Sequence, residues 1–213
     1  MNHVYKTVFR KIIVNPKKAF STIDSYQLFD CKIHLFILVG INNALIRKWL
    51  EVADISNNVF IELAKYIAIG ALVGWLPMLF VSWLLFLSGK WLKGRTELMT
   101  IANLMGYAFF YPVILSLVST ITSIIFLRLN GFVKNSYFNN IDIKLHNTFY
   151  LIIQLHRYLN WGLNFYYVVL MIIGISVVQG FTILKSVLNV FVAILIIAIP
   201  LGVIVLIPSL FGH

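Results

Sequence analysis

Three stretches of this chain, Leu98 to Leu127, Tyr158 to Leu184 and Ser186 to Gly212, contain no Asp, Glu, Lys or Arg. About 20 consecutive apolar residues are enough to cross the ~30 Å hydrocarbon core of a bilayer as a helix. A water-soluble fold of 213 residues has no second layer thick enough to bury three such runs. Charged residues make up only 11% of the chain, against roughly 25% in soluble domains. These features predict an all-α integral membrane protein in which lipid, not water, is the main solvent.

Five transmembrane helices are predicted, at about residues 33–50, 65–87, 100–127, 159–180 and 186–207. The first is the weakest. Only Ile33 to Ile46 is uncharged, it contains Asn42 and Asn43, and it reaches spanning length if Lys32, Arg47 and Lys48 snorkel to the headgroups. A buried interfacial helix is its alternative. The second carries Gly70-x-x-x-Gly74, which lets a neighbouring helix approach closely, and Pro77, whose freed carbonyl needs a partner in the bundle. The third is the most polar, with Asn103, Tyr107, Pro112, Ser116, Ser119 and Thr120, and is placed centrally. The stretch Thr148 to Leu155 is expected as an interfacial helix leading into the fourth. Trp49, Trp75, Trp83, Trp91 and Trp161 fall mostly near span ends, as an aromatic belt requires.

Residues 1–31 form a separate basic amphipathic segment, and 32–213 the five-span domain. At 100° per residue Val4, Tyr5, Val8, Phe9, Ile12 and Ile13 share one side, opposite Lys6, Arg10 and Lys11. After a break, Asn15 is a candidate N-cap with Pro16 in the first turn of a new helix, where Ala19, Phe20 and Ile23 oppose Lys17 and Lys18. Such a segment lies on an anionic leaflet or packs on the protein's own loops; both readings stand. Lys6, Arg10, Lys11, Lys17 and Lys18 are the candidate membrane-surface residues. No cleavable signal peptide is expected at the start. Counting Lys and Arg on alternate sides puts the dense N-terminal cluster on the cytoplasmic side, with the C-terminus outside. The formal net charge of +10 belongs to the ends of apolar segments, which argues against nucleic acid as a partner. The single cysteine, Cys31, excludes an intrachain disulfide.

Chemistry is harder to find. No carboxylate falls inside the four clear spans, and no His-Glu-x-x-His or related metal motif occurs. Ser176 has no histidine in another clear span to serve as its base, and His34, His146 and His156 read as boundary or loop residues. No catalytic, cofactor or metal residues are assigned, and no cofactor is expected.

Three stretches taken together resemble the bacterial branch of the Yip family (Ypt/Rab-interacting proteins). They are Asn15-Pro16-Lys17-Lys18-Ala19-Phe20, then Lys93-Gly94-Arg95-Thr96-Glu97 with Met105-Gly106-Tyr107-Ala108-Phe109-Phe110-Tyr111-Pro112, and Ile173 through Gln179-Gly180-Phe181. The chain departs from the pattern at Lys93-Gly94, where a second glycine is commoner. Gly94 suits a turn, Gly106 and Ala108 give the third helix a small face, Tyr107 needs a hydrogen-bond partner, and Gln179 is able to bond carbonyls at the end of the fourth span. Gly70, Gly74, Gly94, Asn103, Gly106, Tyr107, Pro112, Gln179 and Gly180 are the candidate packing and interaction residues. The resemblance implies a non-enzymatic multi-pass protein of the bacterial plasma membrane. Its partners are expected to be lipids and other integral membrane proteins, with accessory service to an ABC-type exporter as the specific form. An oligomeric small-solute channel or transporter, or a lipid-organising protein, is the alternative.

Overall fold

A computed structural model describes residues 10–25, 33–133 and 143–211, and the side chains of these residues apart from 143–146 and 201–211. Lys6, Cys31, the side chain of His146 and the apolar pattern over residues 4–9 lie outside that set. Among the described residues there are helices and no strands. Residues 10–14 are helical, and from Pro16 on the helices in chain order are α1 (Pro16–Ser25), α2 (Ile33–Ala53), α3 (Val59–Val73), α4 (Leu76–Trp91), α5 (Leu98–Leu129), α6 (Ile143–Val178) and α7 (Ile183–Phe211). Among the described residues five helical segments are long and apolar enough to cross a membrane, with α3 and α4 together forming the second. The chain is an all-α membrane protein.

Local chemistry explains the boundaries. Asn15 caps α1 by accepting from the Lys18 amide at 3.1 Å, and Pro16 occupies the first helical position, where its missing N–H costs nothing. Asn58 caps α3 by accepting from the amides of Phe60 and Ile61. Pro77 does not kink a continuous second span. The helix is interrupted at Gly74–Trp75, and Pro77 falls in the first turn of α4. Thr148 to Leu155 is part of one unbroken helix with the fourth span. Pro112 is accommodated inside a continuous α5.

Three helices end in the same way. The amide five residues on reaches back over the last turn, from Gly94 to the Gly89 carbonyl (2.8 Å), from Phe132 to Leu127 (3.0 Å) and from Phe181 to Ser176 (2.9 Å). Each closure needs one left-handed residue. Glycine supplies it at Gly131 (φ 75°) and Gly180 (φ 68°), but after α4 the place is held by Lys93 at φ 63°. A lysine there pays the Cβ–carbonyl clash that glycine avoids. Lys93→Gly is expected to stabilise the protein by about 1 kcal/mol and Gly180→Ala to destabilise it by a similar amount. Thermal unfolding of both variants in one detergent checks this; opposite shifts are the expected result.

The residues group into two compact units. The first joins residues 1–31, 78–105 and 169–213; the second joins 32–77 and 106–168. In the first, the buried residues include Leu84, Leu85, Ile101, Leu104, Leu170 and Ile175. The apolar side of α1, Ala19, Phe20 and Ile23, is 0% exposed and so is covered by protein, while Arg10, Lys17 and Lys18 stay exposed. In the second, Leu45, Trp49, Tyr66, Ile124, Leu127, Phe132 and Phe149 form one apolar cluster. Trp49 is therefore a core residue and not part of an aromatic belt, whereas Trp91 and Trp161 are well exposed.

Within the second unit α2 and α3 cross at backbone contact. A Cβ placed on Gly40 would lie 2.2 Å from the Gly70 carbonyl oxygen, one on Gly70 2.6 Å from the Ile41 Cα, and one on Gly74 2.5 Å from the Gly40 carbonyl oxygen. The Gly70-x-x-x-Gly74 stripe is occupied by α2, and Gly40 is the third member that the sequence spacing did not mark.

Candidate functional site

In the first unit the residues singled out from the sequence converge on two turns. The α4–α5 connection runs through Lys93-Gly94-Arg95-Thr96, and the α6–α7 connection through Gln179-Gly180-Phe181. The Thr96 hydroxyl donates to the Val178 carbonyl at 2.7 Å. Gln179 lies across Gly89 at the end of α4 and Gly94 of the first turn: a Cβ on either would come to 2.5 Å from its amide. The Phe181 ring also approaches Gly94, at 3.0 Å from such a Cβ. Gln179 and Phe181 are buried, and the Ser88 hydroxyl bonds Asn189 of α7 beneath them. Gly89 and Gly94 are thus small because a glutamine side chain fills the space a methyl would take. Gln179 does not need exposed carbonyls to explain its place, although its Oε1 has no hydrogen-bond partner among the described residues.

The two turns form a clasp whose outer side is basic. Lys90, Lys93 and Arg95 are exposed, and Lys185 lies over the Phe181 ring at 4.4 Å. None of the four pairs with a carboxylate among the described residues, where the ion pairs are Lys48–Glu51 and Lys65–Glu62. A cluster of unpaired cations on a rigid turn attracts an acidic surface.

The second unit holds a buried polar cluster on α5 and α6. Ser116 bonds the Asn160 side-chain oxygen, Thr120 donates to the Ser116 carbonyl at 2.8 Å, and Asn160 donates to the His156 carbonyl at 2.9 Å. The Ser119 hydroxyl lies 3.2 Å from His156 Nδ1, and the Trp49 ring tilts against the imidazole at 4.3 Å between centroids. His156 is 4% exposed. Its imidazole is enclosed by α2 and α5 and not isolated, which the neighbouring Arg157, reading as a span end, does not suggest. Its polar neighbours, Ser119 and Asn160, sit three or four residues from other hydroxyls and amides, a spacing that places them on one helix face.

The remaining sequence candidates in the spans are internal. Asn103 and Tyr107 are buried and each has an interaction partner. Gly106 and Pro112 are buried in α5. Gly180 is exposed, with no atom within 4 Å of a Cβ, so its role is the left-handed turn alone.

Comparison with known families matches residues 10–206 to the Yip1 domain. No curated protein matches the chain, and no solved structure matches it.

Proposed function

For a chain that belongs to the Yip1 domain family, we propose a non-enzymatic role as an accessory or assembly partner of another membrane complex, with a subunit of an ABC-type exporter as its specific form. The observation that carries this reading is the clasp. Two connections are held together by Gln179, Thr96 and the Ser88–Asn189 bond, and they present Lys90, Lys93 and Arg95 without carboxylate partners among the described residues. A fixed basic surface between span ends suits an acidic cytoplasmic segment of a membrane partner. In this reading the protein lies in the bacterial plasma membrane with its N-terminus and the clasp on the cytoplasmic side and its C-terminus outside. Arg10, Lys17 and Lys18 face the same anionic leaflet.

The test is purification of the full chain from its native membrane in mild detergent, followed by mass spectrometry. Stoichiometric ATPase or permease subunits are expected, and they should be lost from the Lys90→Glu, Lys93→Glu, Arg95→Glu triple variant. A clean homo-oligomer overturns the proposal and makes solute flux from the pure protein in liposomes the next measurement.

A further inference from the structure

Three helices of the second unit each turn a narrow stripe toward a common cleft of about 110 Å³. From α2 come Asn42, Asn43 and Arg47, and from α6 come Asn160 and Asn164. Phe109, Pro112 and Ser116 of α5 line it as well. The spacings are those of single helix faces, three or four residues apart. Among the described residues no carboxylate lines the cleft. Ser116 and Asn160 satisfy one another. The side chains of Arg47, Asn43 and Asn164 make no hydrogen bond among the described residues, where Asn42, only 5% exposed, also has an amide oxygen with no partner.

A buried unpaired amide oxygen costs about 1–3 kcal/mol, and Arg47, exposed at the edge of the cleft, brings a full positive charge with no carboxylate among the described lining residues. The two needs differ. Arg47 offers only donors to an anion, in a planar fork suited to phosphate, while the Asn42 oxygen calls for a donor such as a hydroxyl. Position along α6 narrows the source. The helix from Asn160 to Val178 rises about 27 Å at 1.5 Å per residue step, close to the ~30 Å of a bilayer core. Arg157, Tyr158 and Trp161, all exposed, flank the cleft on the same helix as interface residues do. The cleft therefore opens at one face of the bilayer.

We propose that this cleft binds a phosphate ester carrying hydroxyl groups, as in a glycerophosphate headgroup. Arg47 with the Asn43 and Asn164 amides holds the phosphate oxygens, and a headgroup hydroxyl donates to Asn42. The site uses none of the clasp residues, so it stands or falls apart from the proposed partner binding.

The full chain is purified and examined by native mass spectrometry with added phosphatidylglycerol, with phosphatidylcholine, and with soluble glycerol 3-phosphate. Retention of phosphatidylglycerol over phosphatidylcholine is expected, with a tenfold or greater loss in Arg47→Gln and a smaller loss in Arg47→Lys. Displacement of the lipid by millimolar glycerol 3-phosphate would identify the free ester as able to occupy the same site; no displacement assigns the site to lipid. If Arg47→Gln does not fold, Asn164→Leu on the exposed side of α6 carries the same expected loss. Equal retention of the two lipids, or unchanged retention in folded variants, overturns the proposal, as does a wild-type protein that binds neither phosphatidylglycerol nor glycerol 3-phosphate.

Discussion

Gly40→Val is expected to abolish folding of the α2–α3 pair, and Gly40→Ala to destabilise the protein severely. The added Cβ would meet the Gly70 carbonyl oxygen at 2.2 Å, the Trp75 amide nitrogen at 2.9 Å and the Gly74 carbonyl carbon at 3.0 Å. All three are backbone atoms, and no rotamer change moves them away. Overpacking ordinarily costs about 1–3 kcal/mol because side chains and backbone share the displacement; here only the helices themselves can move, so the upper end or beyond is expected. Separating the helices also forfeits the dispersion contacts that drive association in lipid, where no hydrophobic effect compensates. Gly162→Ala is the control. It too lies inside a helix, but nothing is within 4 Å of its Cβ, and alanine is the better helix former by about 1 kcal/mol. Monodispersity in detergent and the unfolding midpoint separate the two: loss for Gly40→Ala, no loss for Gly162→Ala. Equal behaviour would mean that α2 and α3 do not cross at these glycines.

Arg128→Leu is expected to cost about 3 kcal/mol, the second-largest effect. The reason is the accounting at the C-terminus of α2, where the last four carbonyls lack intrahelical partners. The Asp54 amide donates to the Leu50 carbonyl at 3.2 Å. The Asn57 side chain donates to the Glu51 carbonyl at 3.0 Å, and Arg128 donates to the Val52 carbonyl at 3.0 Å. The same guanidinium reaches the carbonyls of Asp54 at 2.7 Å and Asn57 at 3.2 Å. One side chain thus closes the α2–α3 connection onto α5. Charge-assisted hydrogen bonds contribute about 1.5–3 kcal/mol each before overlap is counted, and the positive charge at a helix C-terminus adds about 0.3–1 kcal/mol. Arg128→Lys should recover only part, because the three donors of an ammonium radiate from one atom on a flexible stem, whereas two separate nitrogens of a rigid guanidinium reach these carbonyls. Chemical unfolding of the three proteins in one detergent checks the order wild type, Lys, Leu. A leucine variant as stable as wild type would remove Arg128 from this role.

The outcome for individual residues shows where sequence reasoning reaches. Asn15-Pro16 marks the start of α1 because capping is local chemistry, complete within four residues. Gly94, Gln179 and Gly180 are visible as a motif, but not that the glutamine fills the space above two glycines, since that contact joins turns more than eighty residues apart. His156 beside Arg157 reads as an isolated boundary residue, yet its ring packs on Trp49 of α2 and Ser119 of α5. Arg128 reads as a charge that reports orientation and turns out to hold a loop.

What the sequence by itself determined is the solvent and the number of helices long enough to cross it, because uncharged length answers both. Local caps, glycines and prolines mark single boundaries, as Asn15-Pro16 does, but not the start of α6 at Ile143. Which face of each helix meets protein was decided only by the tertiary structure. In water a helix declares its buried face by contrast with a polar one, but in lipid both faces are apolar and the contrast vanishes. Small residues and isolated polar ones then mark the contacts, as Gly40 and Asn160 do, and such marks acquire a meaning only when the opposing helix is in place.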